Sequence, residues 1–276
     1  MRLDGLPPGY ERISVAGARA VATREAAAAV GEALAGGTLY EYAARQYAAG
    51  EPGARLLMGR APAFAIALPP AGGQRLRVVV RRSRHGGLLA PLTGDRFLTP
   101  TRAPRELRAS LRLRERGVPT PDVVAYALYG AGPLLRRADV ATREIADGRD
   151  LAAVLIGDAN VRESYVGRAG RAAVLAAVAD LLRALTNAGA RHPDLNAKNV
   201  LLAPNRGGTS PVAYVLDVDR VVFDASGSRR VAEGNVRRLG RSLRKLRARR
   251  GLPITDDDLV LLASGAEVNP LIALRS

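Results

Sequence analysis

Arg191-His192-Pro193-Asp194-Leu195-Asn196-Ala197-Lys198-Asn199-Val200-Leu201-Leu202, followed after a loop by Tyr214-Val215-Leu216-Asp217-Val218-Asp219, is the stretch that decides the reading. It runs His-x-Asp, then an Asn five residues after the Asp, an apolar strand, a loop, and a second apolar run ending in Asp. Phosphoryl transfer needs such groups in this order. One carboxylate orients the acceptor hydroxyl and takes its proton, an amide oxygen holds one Mg²⁺, and a second carboxylate holds the metal that bridges the phosphates. Asp194 is the candidate catalytic carboxylate, and Asn199 and Asp217 are the candidate metal ligands. Asp219 is a neighbouring candidate, because strand alternation puts 217 and 219 on one side; Asp217 is preferred because the strand ends there. A loop of turn-forming Asp and Asn residues that cap local backbone is the competing account. It explains a single Asp better than it explains the whole spaced set.

Within the loop, His192 reads as a structural group that packs underneath and holds the Asp194 backbone, rather than as a base. Pro193 stands where many protein kinases keep an Arg that senses activation-loop phosphorylation, so that mode of control is not expected.

Upstream, Val174, Val178, Leu181, Leu182 and Leu185 recur at helical spacing and predict a helix over 167–187, with Gly189 at its C-terminal stop. Downstream, a basic amphipathic helix is expected over 231–249, its stripe formed by Val236, Leu239, Leu243 and Leu246. A last helix over 256–263 begins in an acidic turn. Nearer the N-terminus, two Ala-rich helices are expected over 23–34 and 39–48, separated by Gly36-Gly37. Short strands follow at 56–58, 64–68 and 76–80, then a helix over 103–116 that Gly117, Pro119 and Pro121 end, and strands at 123–128 and 138–145. The expected fold is α+β: a two-lobed, protein-kinase-like fold with a small β-rich N-lobe and a mainly helical C-lobe. Residues 1–54 are expected as an N-terminal helical extension, 55–145 as the N-lobe and 146–276 as the C-lobe.

The small lobe should supply a cation for the nucleotide phosphates, paired with a helix carboxylate. No lysine precedes Lys198, but the strand Leu76-Arg77-Val78-Val79-Val80-Arg81-Arg82 offers Arg81 or Arg82, with Glu106 as the natural partner. A solvated strand end and a surface helix charge is the plain alternative. Gly59-Arg60-Ala61 lies where a phosphate-covering loop would sit, and its single Gly equally suits a hairpin turn. Thr142-Arg143-Glu144-Ile145 occupies the expected hinge, where backbone groups of Glu144 and Ile145 could bind adenine.

The chain has 276 residues, 47% of them hydrophobic and 4% aromatic, with no Cys, no Trp and two His. Disulfides and thiolate metal sites are excluded, and a His-based zinc site is not expected. Residues 1–9 carry Asp4, Pro7 and Pro8 where a signal peptide would need an apolar run, and no membrane span is read. A soluble cytoplasmic protein, or one on a membrane surface, is expected. The net charge of +16 calls for an anionic partner, and almost all of it is Arg, with lysine only at Lys198 and Lys245. A compositional bias with solvated arginines accounts for much of this excess equally well.

Several segments together resemble the 3-deoxy-D-manno-octulosonic acid (Kdo) kinase and lipopolysaccharide kinase family. They are Val79–Leu88, Gly94-Asp95-Arg96-Phe97-Leu98, Pro104-Arg105-Glu106-Leu107, Arg116–Pro121, Arg137–Ile145, Asp194–Asn199 and Asn235–Leu246. The resemblance implies a protein-kinase-like fold and ATP-dependent phosphorylation of a sugar hydroxyl on a lipopolysaccharide precursor, at the cytoplasmic face of the inner membrane in Gram-negative bacteria. It implies Asp194 as base, Asn199 and Asp217 as Mg²⁺ ligands, Glu106 as the helix Glu and Arg81 as the nucleotide-contacting cation. Gly59-Arg60-Ala61 departs from the family's Gly-Arg-Gly, and Asp217-Val218-Asp219-Arg220 has Val for Phe. Arg82, Arg84, Arg137 and Arg220 are candidates to hold the acceptor's carboxylate or phosphates. The basic helix could touch anionic lipid, although a core-facing stripe with arginines in water is the simpler expectation.

Three rival readings remain at this level. An atypical protein kinase of the RIO or Bud32 type would share the compact loop, but nothing like Ala-Pro-Glu follows Asp219 to shape a peptide platform. An aminoglycoside- or choline-type kinase more often has His two residues past the Asp, where this chain has Asn196. An anion-binding pseudokinase suits the missing lysine; nucleic acid is not expected as its partner, since the few aromatics supply no stacking platform.

Overall fold

The computed structural model describes residues 5–58, 61–69, 75–83, 97–98, 101–132, 135–157, 167–205 and 210–274. These fall into two units: residues through Leu107 together with Asp122–Glu144, and Arg108–Pro121 together with the residues from Ile145 onward.

The first unit is built on strands β1 (Tyr10–Val15), β2 (Ala18–Thr23), β3 (Arg55–Leu57), β4 (Ala63–Leu68), β5 (Leu76–Arg82), β6 (Phe97–Leu98), β7 (Val123–Gly130) and β8 (Leu135–Arg143). They form one eight-stranded antiparallel sheet in the order β1-β2-β7-β8-β5-β4-β3, with β6 pairing to β8 off that path. Helices α1 (Arg24–Ala35) and α2 (Leu39–Ala48) pack on it. Thr38 and Glu41 start α2 with a reciprocal capping box, which satisfies two amides that a helix start otherwise leaves bare. β5 alternates as a half-buried strand should, with Leu76, Val78 and Val80 buried. They meet Val30, Leu34 and Leu39 from the helices, together with Phe64 and Ile66 from β4.

The sequence pattern predicts only helices in 1–54, and the structure corrects this. β1 and β2 come first and extend the main sheet through β7, and the Tyr10 hydroxyl donates to the Val123 carbonyl at 2.7 Å. Residues 1–54 therefore do not form a separate extension. The segment Arg108–Pro121, expected within the N-lobe, groups with the second unit, where Ala109, Leu113 and Val118 are buried. These residues lie on and just after helix α3 (Ala103–Glu115).

The second unit contains β9 (Arg149–Asp150), α4 (Leu151–Ile156), α5 (Gly167–Asn187), β10 (Ala190–Arg191), β11 (Val200–Ala203), β12 (Val212–Val215), β13 (Val222–Phe223), α6 (Arg229–Arg250), α7 (Asp256–Gly265) and α8 (Leu271–Leu274). The helical path of α5 is broken at Gly170. Val174, Val178, Leu181, Leu182 and Leu185 of α5 are buried with Val236, Leu239 and Leu243 of α6, so the predicted stripes face the core. Burying each such side chain fully is worth about 1.5–3 kcal/mol. Two glycines are required by close approach. Gly240 lets α6 meet α8, because a Cβ there would lie 2.6 Å from the Ala273 carbonyl oxygen. Gly189 sits at φ +64°, and a Cβ on it would lie 2.3 Å from the Asp224 oxygen. That turn ends α5 and delivers the chain into β10, directly before the loop that carries Asp194. Among the described residues no helix is long and apolar enough to cross a membrane.

Candidate active site

The loop between β10 and β11 is held by its own polar groups. His192 is fully buried. Its Nδ1 accepts from the Asp194 amide at 3.2 Å, so the ring proton sits on Nε2, which donates to the Leu216 carbonyl at 3.0 Å. Burial, the largest influence, pushes the imidazole pKa down and favours this neutral form. The histidine thus pins Asp194 to the segment just before Asp217.

The Asp194 carbonyl accepts from two side-chain amides, Asn196 Nδ2 at 2.8 Å and Asn199 Nδ2 at 2.9 Å. Asn196 Oδ1 in turn takes the Lys198 amide at 2.9 Å. Leu195 and Ala197 anchor the loop in the core below. From α6, Asn235 Oδ1 accepts from the His192 amide at 3.0 Å while its Nδ2 donates to the Ala190 carbonyl at 2.9 Å. Ser242 Oγ accepts from the Ala197 amide at 3.2 Å.

The Asp194 side chain is half exposed, and its Oδ2 accepts from Arg220 at 2.6 Å. Its Oδ1 makes no hydrogen bond among the described residues, so one oxygen can receive a hydroxyl. β11 pairs with β12 from Val200↔Val215 through Ala203↔Val212, and the Leu216 amide donates to the Asn199 carbonyl at 2.9 Å. This register brings Asn199 beside the residue before Asp217. Asp217 adopts the left-handed conformation at φ 58°, ψ 50° and opens a 3-10 turn over Val218–Arg220. A non-glycine residue held there is sparsely populated, and such strain concentrates at functional positions. Strand alternation therefore stops at Val215 and does not relate Asp217 to Asp219, contrary to the pattern reading.

In the first unit, Arg81 on β5 forms an ion pair with Glu106 in the first turn of α3, whose carboxylate is almost entirely buried. Arg82 is a correction. Expected to hold an acceptor anion, it lies between Glu41 and Asp139 with its guanidinium 4.6 Å from the Tyr40 ring centre. Glu144 also differs from expectation. Its amide already donates to the Arg77 carbonyl at 3.0 Å, and its carboxylate is tied to Arg55 and Arg77. Its N–H is thus closed to adenine. The Ile145 carbonyl accepts from the Gly148 amide at 3.2 Å. Gly59, Arg60 and Arg84 lie outside the described residues.

Sequence reasoning missed Asn235, Ser242 and the pairing of Arg220 with Asp194. Asn235 left a signal: it stands four residues from both Val231 and Leu239, a polar side chain within an otherwise apolar stripe.

Residues 73–264 match the Lipopolysaccharide kinase (Kdo/WaaP) family. A 3-deoxy-D-manno-octulosonic acid kinase of Xanthomonas oryzae pv. oryzae (strain PXO99A) is 33% identical over 186 residues, covering 66% of this chain and 68% of that protein. The enzyme of the same name from Photobacterium damsela subsp. piscicida is 27% identical over 201 residues, covering 71% and 77%. Among solved structures, WaaP in complex with acyl carrier protein aligns at a TM-score of 0.47 with 20% identity, covering 81% of this chain and 82% of that one.

Proposed function

The chain belongs to the lipopolysaccharide kinase (Kdo/WaaP) family, and on that premise we propose that it transfers the γ-phosphoryl group of ATP to a hydroxyl of Kdo, or of another inner-core sugar, on a lipopolysaccharide precursor. The observation that carries this reading is the braced loop, which presents one carboxylate oxygen of Asp194 while His192, Asn196, Asn199 and Asn235 fix its backbone.

In this mechanism Asp194 orients the acceptor hydroxyl through Oδ1 and takes its proton as the oxygen attacks phosphorus in line. Arg220 holds the carboxylate in one direction through its contact with Oδ2. Arg81, steadied by buried Glu106, contacts the nucleotide phosphates. The carbonyl of Glu144 and the amide of Ile145 are the hinge groups left to meet adenine. Magnesium suits the residues present. Asn199 spends its Nδ2 on the Asp194 carbonyl and so keeps its oxygen for a cation, and Asp217 adds a carboxylate. Two protein oxygens are what Mg²⁺ commonly takes when phosphates and water complete its shell. When bound, the ion supplies neutralisation of charge on the β- and γ-phosphates.

A lipid-linked acceptor places the protein in the cytoplasm of a Gram-negative cell, peripheral on the inner face of the inner membrane. Exposed Lys245, Arg249 and Arg250 at the end of α6 are suited to anionic headgroups.

The test is a mass-spectrometric phosphotransfer assay offering Kdo-lipid, a heptosylated acceptor and a generic protein side by side. Wild-type protein should phosphorylate a sugar acceptor, and Asp194→Asn should lose about 10²–10⁴-fold in turnover with its circular dichroism unchanged. Undiminished turnover in that variant would remove Asp194 from the mechanism, and phosphate on the protein alone would replace the sugar acceptor.

A further inference from the structure

The arginines of α6 are not alike. Arg244 donates to the Leu274 carbonyl at 2.9 Å, Arg247 donates to Asp256 at 2.7 Å, and Arg237 and Arg241 face water. Arg238 does neither. Among the described residues its Nε is buried and lacks a hydrogen-bond partner; the same holds for Nε of Arg191, the residue preceding His192, and of Arg244, whose guanidinium is however tied to Leu274. A buried donor left unmade is costly, and more so on a charged group.

Both side chains are placed beside the catalytic loop. Arg238 stands three residues after Asn235 and four before Ser242, and those two side chains hydrogen-bond that loop. Residues at such spacing share one helix face. Arg191 lies along the same helix, with its Cδ 3.7 Å from where a Cβ of Gly234 would be. The positive charges of Arg191, Arg237 and Arg241 act on Arg238, and they add to burial in pushing its pKa down. Asp194 opposes them, but its Oδ2 is already engaged by Arg220. Positive charge therefore converges on the Asp194 side of the loop with little to balance it.

We propose that Arg191, Arg238 and Arg241 form an anion subsite beside Asp194 that receives a carboxylate or phosphate of the phosphoryl acceptor. Paired guanidinium forks match the two oxygens of either group, and such an anion would offset the positive charge gathered beside the loop. Asn235 and Ser242 on the Arg238 face of the helix hold the Asp194 loop, and Asp194 acts on Arg238, so the bound anion belongs with the hydroxyl that Asp194 orients rather than with the nucleotide. The inference rests on the sugar-kinase reading above.

The experiment uses the full chain with Arg238→Gln, Arg191→Gln and Arg241→Gln. The last is a surface change, which keeps the test open should a buried substitution prevent folding. Initial rates are measured on Kdo-lipid, on the same acceptor with its sugar carboxylate methyl-esterified, and on the acceptor stripped of lipid phosphate. The variants should raise the acceptor KM at least tenfold while the ATP KM stays within twofold. One of the altered acceptors should show the same rise with wild-type protein and no further rise with the variants. Which acceptor behaves so identifies the anion as carboxylate or phosphate. A rise in ATP KM instead, or losses that simply multiply for both altered acceptors, would overturn the proposal. If wild-type protein phosphorylates no sugar acceptor, the functional reading fails first. The subsite is then judged by inorganic phosphate: a melting-temperature rise over sodium chloride of equal ionic strength, present in wild type and lost in the variants, supports it, and equal rises in all overturn it.

Discussion

Replacing Asn235 by Ala tests how the catalytic loop is held. The side chain is fully buried, and it serves two main-chain groups at once, accepting from the His192 amide and donating to the Ala190 carbonyl. Alanine leaves both groups buried without a partner. Each such loss costs about 1–3 kcal/mol, so a total near 3–4 kcal/mol is expected for the second unit. That corresponds to a fall in melting temperature of about 10 °C. The loop also loses its tie to α6 on the side of His192. An ångström of freedom at Asp194 is enough to cost about 10²-fold in kcat, while the ATP KM should move little. Urea denaturation followed by circular dichroism gives the stability, and steady-state kinetics gives the split between kcat and KM. Ser242→Ala is the control. Its single bond to the Ala197 amide is only part-buried, so water can replace it and the loss should stay below about 1 kcal/mol. The reasoning is refuted if Asn235→Ala costs no more than Ser242→Ala and leaves kcat intact.

Asp139, buried between Arg82 and the Tyr40 amide, has its pKa pushed up from 3.8 to about 6, chiefly by burial. The folded protein then holds a proton that the unfolded chain has released between those values, so stability should fall by about 3 kcal/mol as pH rises from about 4 to 6; Asp139→Asn should flatten that slope in pH-dependent urea titrations, and an unchanged slope would exclude this group. Gly189→Ala should destabilise by at least about 1–2 kcal/mol from its positive φ alone. The clash with the Asp224 oxygen adds to that loss, and calorimetry showing an unchanged melting temperature would mean the turn relaxes freely.

Local chemistry was legible from the sequence where a few adjacent residues determine it. The loop from His192 to Asn199 carries its turn-forming amides and its buried histidine within eight residues, and helical periodicity located α5 and α6. What the sequence did not disclose depends on partners far along the chain. β2, Ala18–Thr23, is an Ala- and Arg-containing segment with weak strand character; it becomes a strand by pairing with β7 about a hundred residues later, and β1 then adds to its free edge. Arg82 and Glu144 looked available because pattern reading cannot see Asp139, Arg55 or the Arg77 carbonyl arriving beside them. Arg238 was indistinguishable from the solvated arginines around it, since its difference lies in a buried Nε and not in its spacing.

The strand order carries a lesson about boundaries. The family match begins at residue 73, yet β5 is zipped to β4 from Ala63 to Leu68, and β7 is zipped to β2 from Arg19 to Ala22. Expressing residues 73–264 alone would strip both partners away and leave two open strand edges, along with the apolar face that α1 and α2 cover. Such edges recruit other chains. The stretch that inheritance marks out is therefore narrower than the stretch that can stand by itself, and a trimmed protein should be found in inclusion bodies rather than in solution.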